Sequence, residues 1–118
     1  MPKGGKKKMG QWGEDLACVW LERKGFKIIE RNFYTTVGEI DIIAKFGDDF
    51  YFVEVKTRRV GEMANDLAIT REKWRRLEKT VGRYCWKHGV VGGIILAALI
   101  IAVDKSKGTA KLRLVPKG

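Results

Sequence analysis

Apolar side chains recur at helical spacing in two stretches of the chain. Within residues 11–24, the large apolar residues that fall three or four apart, and so share one helix face, are Trp12, Leu16, Val19 and Trp20. Within residues 71–88, the corresponding face carries Trp74, Leu77, Val81, Tyr84 and Cys85. Thr70 is the expected N-cap of the second helix, and Gly25 and Gly89 are the expected stops. The spacing therefore predicts two amphipathic helices.

Apolar and β-branched residues also concentrate in five shorter stretches. They are residues 26–33, 39–45, 50–57, 94–103 and 111–115. Gly47 and Asp48 predict a tight turn between the second and the third, and the nearly continuous apolar run of the fourth is typical of a strand covered on both faces. The pattern predicts an α/β domain of element order α-β-β-β-α-β with a last short strand. Its mixed central sheet would be flanked by the two helices.

The first ten residues differ from the rest, because they hold four lysines and no acid and show no periodicity. We predict a disordered basic tail over residues 1–10 and a single domain over residues 11–118, a length sufficient for one core. Lys and Arg number 24 against 14 Asp and Glu, a net charge of +10, and without the four lysines of the tail it is still +6. Such a charge favours a polyanion as partner, although solubility alone would also account for it.

Composition excludes several kinds of site. One histidine and two cysteines, Cys18 and Cys85, form neither a zinc finger nor a disulfide framework, which predicts a reducing, cytoplasmic setting. Ser106 is the only serine, so a Ser–His hydrolase is not expected. The apolar run over 90–103 has 14 residues, whereas a membrane span needs about 20, and no membrane association is expected.

Candidate chemistry lies in the predicted hairpin of residues 39–45 and 50–57. With a two-residue turn at 47–48, Asp41 stands opposite Glu54 and Glu39 opposite Lys56, with opposed Cβ atoms about 4.5–5.5 Å apart. Because side chains alternate along a strand, these four polar residues share one face. The other face would carry Ile40, Ile42, Ala44, Tyr51, Val53 and Val55.

Two carboxylates so close raise each other's pKa unless a cation lies between them. Mg²⁺ is typically held by one or two carboxylates together with water and phosphate oxygens, and it lowers the pKa of a water. Lys56 would orient that water or offset negative charge on phosphoryl oxygens. The group therefore suits phosphodiester hydrolysis with Mg²⁺, for which Mn²⁺ would substitute. The alternative is a set of exposed cross-strand ion pairs, which contribute little.

A longer series of residues surrounds this hairpin. In chain order it comprises Gly13-Glu-Asp-Leu-Ala17, Leu21, Gly25-Phe26, Arg31-Asn-Phe33, Gly38-Glu-Ile-Asp41, Phe52-Val-Glu-Val-Lys-Thr-Arg58 and Ala68-Ile-Thr70 with Lys73. The series resembles the YraN-type bacterial proteins, small chains of the restriction-endonuclease-like (PD-(D/E)xK) class. It is more distantly similar to archaeal Holliday-junction resolvases. The resemblance covers roughly residues 10–104.

This resemblance implies a restriction-endonuclease-like core and a divalent-metal-dependent endonuclease acting on DNA, with branched, recombination or repair intermediates as expected substrates. By position, it makes Asp41 and Glu54 metal ligands, Lys56 the catalytic lysine and Glu14 a further ligand. Stabilisation of a helix start is the alternative role of Glu14. Glu39 matches the motif as an accessory residue, and pairing with Lys56 is its alternative role.

Basic residues near the acidic group are the expected contacts to nucleic acid, DNA rather than RNA. They are Arg58, Arg59, Lys73 and Arg76. The family often carries Arg-Phe-Asp at the start of its last core strand, where this chain has the apolar residues 97–99. That departure leaves open a second hypothesis, a non-catalytic nucleic-acid-binding module that retains the fold. The apolar residues would also allow a homodimer, whose interface the sequence does not identify.

Overall fold

Helices and strands follow one another in the predicted order in the computed structural model, which describes residues 5–61 and 69–117, with side chains from residue 10 onward. The elements are α1 (Gly5–Arg23), β1 (Lys27–Thr35), β2 (Gly38–Phe46), β3 (Asp49–Arg59), α2 (Arg71–His88), β4 (Ile94–Asp104) and β5 (Thr109–Pro116). Neither helix is long and apolar enough to cross a membrane, as far as the described residues extend.

The five strands form one sheet in the order β1-β2-β3-β4-β5. Consecutive strands pair antiparallel except β3 and β4, which are parallel and joined through α2. This result confirms the predicted α/β class and the mixed sheet. It also places β3, which carries Glu54 and Lys56, at the centre of the sheet.

Each helix covers one face of the sheet. Alternate residues of β2, β3 and β4, such as Ile42, Val53 and Leu99, pack under α1. Their neighbours Ile43 and Phe52 pack under α2 against Leu77, Val81 and Tyr84. The central strands are therefore apolar on both faces, as the continuous run of β4 predicted.

The sequence predicted α2 correctly at both ends. The Thr70 hydroxyl accepts a hydrogen bond from the Lys73 N–H at 3.2 Å, which is the expected N-cap. Gly89 ends the helix with φ of 59°, in the left-handed conformation that glycine adopts without steric cost. This cap fixes the start of α2, whose first two turns carry Lys73 and Arg76.

The predicted start of α1 is wrong, and its predicted face is right only in part, because Leu16 and Trp20 pack against the core whereas Trp12 and Val19 do not. The helix begins at Gly5, so residues 5–10, assigned to a disordered tail, are helical, and residues 1–4 lie outside the described residues. Lysine and methionine are good helix formers, which favours a helix that begins before residue 11. Trp12 and Val19 are 44% and 45% exposed, because Ala17, Cys18 and Leu21 form the buried face instead.

Gly13 explains this rotation of α1. A Cβ at Gly13 would lie 2.5 Å from the Thr57 Oγ1 of β3. The absence of a side chain lets the helix approach the sheet closely on the side of Gly13 and Ala17, and the bulky residues point elsewhere. A pattern of large apolar residues cannot reveal a contact made by small ones.

Candidate active site

The β2–β3 ladder follows the predicted register but ends before the acidic residues. Pairs run from Phe46↔Asp49 to Ile42↔Val53 and go no further, whereas β3 continues to pair with β4 as far as Arg59. The predicted cross-strand pairs Asp41–Glu54 and Glu39–Lys56 are therefore wrong as ladder pairs. The Asp41 Oδ2 atom accepts a hydrogen bond from the Val55 N–H at 2.8 Å. A side chain thus takes the place of a backbone acceptor, and the two strands separate at this point.

At the same position along the ladder, the side chains of β1 and β2 that had pointed to one face of the sheet begin to point to the other. Ile42 packs under α1, but Ile40, predicted to share its face, packs with the residues under α2. The opposite strand carries Asn32 with φ of 54°, the one non-glycine residue in the described chain with positive φ. Asparagine tolerates this conformation better than most residues. Asp41 therefore lies where the alternation of side chains along β1 and β2 is interrupted.

A pocket of about 410 Å³ opens where the strands separate. Four carboxylates and four cationic side chains line it: Glu14, Glu39, Asp41, Glu54, Lys56, Arg58, Lys73 and Arg76. The acids come from α1, β2 and β3, and the bases from β3 and the first turns of α2. All the residues expected to form the site are therefore brought together except Arg59, which is exposed at the end of β3 and does not line the pocket.

Asp41 has the most strongly perturbed environment of the pocket. Burial raises its pKa from 3.8 to about 7, while the hydrogen bond from Val55 opposes the shift and the charges of Glu14, Glu54 and Glu39 add to it. Desolvation and like charge both disfavour the ionised carboxylate. A carboxylate held in this way gains most from a cation placed beside it.

Glu14 reaches the pocket from the interior of α1, not from its start. The first turn of α1 contains no acid, so stabilisation of a helix start does not explain this residue. Burial raises the pKa of Glu14, whereas the neighbouring Asn32 side chain and the Arg31 guanidinium lower it. The Arg31 Nη2 atom lies 3.6 Å from Glu14 Oε1 and 2.7 Å from Asp15 Oδ1. Glu14 is therefore anchored to β1 beside the pocket.

Lys56 is the one buried charged residue in the described part of the chain, with 7% of its surface exposed. An ammonium group is rarely buried unless opposite charge compensates it, and the carboxylates of the pocket supply that charge. Lys56 and Glu54 are two residues apart and pair with Ile100 and Ala98 of β4. Ala98 and Ile100 pack against Trp74 of α2, so Lys56 and Glu54 lie on the α2 side of the sheet.

The apolar stretch over residues 97–99 lies in the middle of the sheet. Ala97 and Leu99 are fully buried and Ala98 is 3% exposed, beside Glu54 on β3. This segment contributes packing to the wall behind the pocket and no charge. Residues 97–99 therefore contain no counterpart of the Arg and Asp expected from the resemblance.

The donor chemistry of the pocket fits a hard divalent cation. Across residues 5–61 and 69–117, no group of three or more Asp, Glu, His or Cys side chains is preformed as a metal centre. Mg²⁺ does not need one, since it binds through one or two carboxylates and keeps several waters. Asp41 and Glu54 supply such a pair of oxygen donors, with Glu14 on the same pocket.

Sequence reasoning did not assign a role to Arg31 or Asn32. These residues hold Glu14, and Asn32 provides the conformation at which the ribbon changes faces. One signal was available, because asparagine is depleted in strands and enriched at positive φ. An asparagine in the middle of a predicted strand therefore marks an irregularity.

Comparison with known proteins identifies relatives along most of the chain. The model of the uncharacterised protein family UPF0102 matches residues 13–105. A UPF0102 protein of Helicobacter hepaticus is 43% identical over 93 residues, which cover 78% of this chain and 82% of the relative. A UPF0102 protein of Thermotoga neapolitana is 44% identical over 81 residues, 69% of this chain and 75% of the relative. One from Syntrophomonas wolfei is 43% identical over 79 residues, 66% and 69% of the two chains.

Proposed function

We propose that this chain, which belongs to the uncharacterised protein family UPF0102, is a divalent-metal-dependent endonuclease with a restriction-endonuclease-like core. Its substrate would be DNA, with branched recombination or repair intermediates preferred. The observation that carries the proposal is the convergence of Asp41, Glu54 and Lys56 on one pocket at a break in the β2–β3 ladder. A surface ion-pair network would not require a buried lysine and half-buried carboxylates at such a break.

Asp41 and Glu54 would hold Mg²⁺ or Mn²⁺, with Glu14 as a further ligand. The ion, when bound, would lower the pKa of a water and stabilise negative charge on a phosphoryl oxygen. The Val55 N–H fixes the orientation of the Asp41 carboxylate, and Arg31 and Asn32 fix Glu14. The acidic side of the pocket is thereby preorganised, which avoids reorganisation during the reaction.

Lys56 would act on the reacting phosphate. Its ammonium group is held in a buried, low-dielectric position, where a charge stabilises developing negative charge more strongly than in water. Arg58, Lys73 and Arg76 line the same pocket and would bind the phosphates next to the scissile bond. Lys73 and Arg76 also lie in the first two turns of α2, where the helix dipole favours anions.

A cleavage assay tests the proposal. Wild-type protein is incubated with Mg²⁺ or Mn²⁺ and a four-way junction, a flap, plain duplex, single-stranded DNA or RNA. We expect junction or flap cleavage that falls about 100-fold or more in Asp41→Asn and in Glu54→Gln. Glu22→Gln, an exposed acid of α1 outside the pocket, is the matched control and should cleave like wild type.

Undiminished cleavage by both Asp41→Asn and Glu54→Gln would refute the assignment of the site. Circular dichroism of each variant verifies the fold, so that loss of activity is not confused with unfolding. Absence of cleavage on every substrate, with junction binding retained, would favour the second hypothesis of a binding module. The apolar residues 97–99, which replace the charged motif of the resembling family, are the observation behind that alternative.

A further inference from the structure

We call the pocket that Asp41, Glu54 and Lys56 line the acidic pocket. A second cleft lies towards the other end of α2. It has a volume of about 710 Å³ and lies between the β1–β2 turn and the C-terminal half of α2. We call it the aromatic cleft; its lining is Phe33, Tyr34, Thr35, Val37, Lys79, Gly82, Arg83, Trp86 and Lys87. The Arg83 Nη1 atom donates a hydrogen bond to the Thr36 Oγ1 atom at 3.2 Å, which ties the helix to the turn.

Two aromatic rings of this cleft face solvent. Trp86 is 89% exposed and Tyr34 is 67% exposed, although both side chains carry large apolar surfaces. The other aromatic residue of the cleft, Phe33, packs edge-on against Tyr84 and belongs to the core. The exposed rings are therefore not required for folding and are available to a ligand.

The charge of the aromatic cleft selects an anionic ligand. Lys79, Arg83 and Lys87 are the charged residues among its described lining, and the nearest carboxylates, those of Glu39, Glu14 and Asp41, act on it only from the side of Tyr34. Aromatic rings beside cations are the combination on which unpaired bases stack while their phosphates are neutralised. An apolar peptide would not use the three cations.

Gly82 leaves room in the floor of the cleft. It lies in the middle of α2, where glycine costs about 1 kcal/mol relative to alanine. A Cβ at this position would meet no protein atom within 4 Å, so packing within the chain does not require glycine here. The open space belongs to the cleft itself.

A line of cations connects the cleft to the acidic pocket. Along one side of α2 it comprises Lys73, Arg76, Lys79, Arg83 and Lys87, at intervals of three or four residues. The first two line the acidic pocket and the last three line the aromatic cleft. At 1.5 Å per residue the line is about 21 Å long, a length that spans several nucleotides.

We propose that the aromatic cleft binds unpaired bases of a single-stranded nucleic-acid arm, whose backbone follows α2 from the acidic pocket. Trp86 would stack on a base, and Lys79, Arg83 and Lys87 would bind the phosphates. The statement that this arm belongs to a cleaved substrate rests on the proposed endonuclease function. The binding itself does not, because it requires no metal ion.

Binding of a fluorescent 12-nucleotide oligo(dT) to the full chain in EDTA tests this proposal. Because one stacked base contributes enough for alanine substitution to weaken binding about 5- to 150-fold, we expect a loss in that range for Trp86→Ala. Trp86→Phe should recover most of it, since phenylalanine also stacks. Trp12→Ala, at an exposed tryptophan of α1 outside the cleft, is the matched control and should bind like wild type.

Equal affinity of Trp86→Ala and Trp12→Ala for oligo(dT) would overturn the proposal. An equal loss by Trp86→Ala on blunt duplex DNA would also overturn it, because duplex bases are not free to stack. Binding of a peptide in place of the oligonucleotide would assign the cleft to a protein partner and refute it. If Trp86→Ala loses oligo(dT) binding and wild type cleaves no substrate, the cleft proposal is supported and the nuclease proposal is rejected. If wild type cleaves DNA and Trp86→Ala binds oligo(dT) normally, the nuclease proposal is supported and the cleft proposal is rejected.

Discussion

The Asp41 carboxylate accepts a backbone N–H from the neighbouring strand while it is crowded by three other carboxylates. Burial and these charges raise its pKa from 3.8 to about 7. Between those values the folded protein holds a proton that the unfolded chain releases. The free energy of unfolding therefore falls as pH rises from about 4 to 7, because the folded state binds more protons over that interval.

We predict that Asp41→Asn stabilises the metal-free protein at pH 8 by on the order of 2 kcal/mol, and by less at pH 5. The amide keeps an oxygen acceptor for the Val55 N–H and removes the charge that is costly to bury. Urea denaturation in EDTA at the two pH values measures the difference. Asp48→Asn, which removes one carboxylate from the exposed hairpin turn, is the charge-matched control.

The account would be contradicted if the free energy of unfolding of wild type, compared with that of Asp41→Asn, did not fall between pH 5 and pH 8. Addition of Mg²⁺ at pH 8 extends the test to the proposed metal. The ion should stabilise wild type and leave Asp41→Asn nearly unchanged, since a ligand stabilises only the form that binds it. A residue that lowers stability in the absence of a ligand is consistent with a functional site.

At the scale of elements, α2 was predictable because several independent signals agree. Its apolar spacing, the Thr70 cap and the Gly89 stop all define the same helix, and each has a local physical cause. α1 was less predictable because its contact with the sheet depends on Gly13 and Ala17. The sequence gives no apolar signal at a glycine, so the rotation of the helix is evident only when the partner surface is known.

The β2–β3 hairpin also has a part that the sequence predicts and a part that it does not. The two-residue turn and the alternation of side chains determine the register from Phe46↔Asp49 to Ile42↔Val53, which the sequence predicted. Beyond that point, the Asp41 side chain replaces a backbone acceptor. Near Asn32, which has positive φ, the side chains of β1 and β2 change to the other face of the sheet. A regular pattern cannot reveal where a side chain competes with the ladder. The acidic residues still meet, but by a different geometry.

The two helix glycines give opposite predictions for alanine. Gly82→Ala should raise the free energy of unfolding by about 0.5–1 kcal/mol, because the new methyl group meets nothing within 4 Å and helix propensity improves. Gly13→Ala should lower it by about 1–2 kcal/mol, because its Cβ would lie 2.5 Å from Thr57 Oγ1. Chemical denaturation of both variants measures these changes. A stabilising Gly13→Ala would mean that Thr57 moves aside without cost and that α1 is not fixed by this contact.

At the scale of the whole molecule, the +10 charge is not spread evenly over the two clefts. Four acids and four bases line the acidic pocket, whereas the charged residues among the described lining of the aromatic cleft are Lys79, Arg83 and Lys87. Composition predicts an anionic partner but does not say where it would bind. The proposed binding path depends on α2, whose N-terminal turns border the acidic pocket and whose C-terminal half borders the aromatic cleft.

Salt dependence measures how many of these cations a bound strand neutralises. Each phosphate contact on single-stranded nucleic acid contributes about −0.7 to the slope of log K against log salt concentration. Replacement of Lys79, Arg83 and Lys87 by glutamine should therefore make the slope for oligo(dT) less steep by about 2. These side chains are exposed on α2, so the triple variant should keep its fold.

Lys105, Lys107 and Lys111, near the β4–β5 turn and away from both clefts, provide the charge-matched control triple variant. If oligo(dT) binding depends on net charge alone, both triple variants will lose the same slope, and the path along α2 is wrong. If the strand follows α2, only the first variant will lose it. Trp86→Ala should then weaken binding with no change of slope, because stacking releases no counterions. This combination separates the aromatic contribution from the electrostatic one along a single helix.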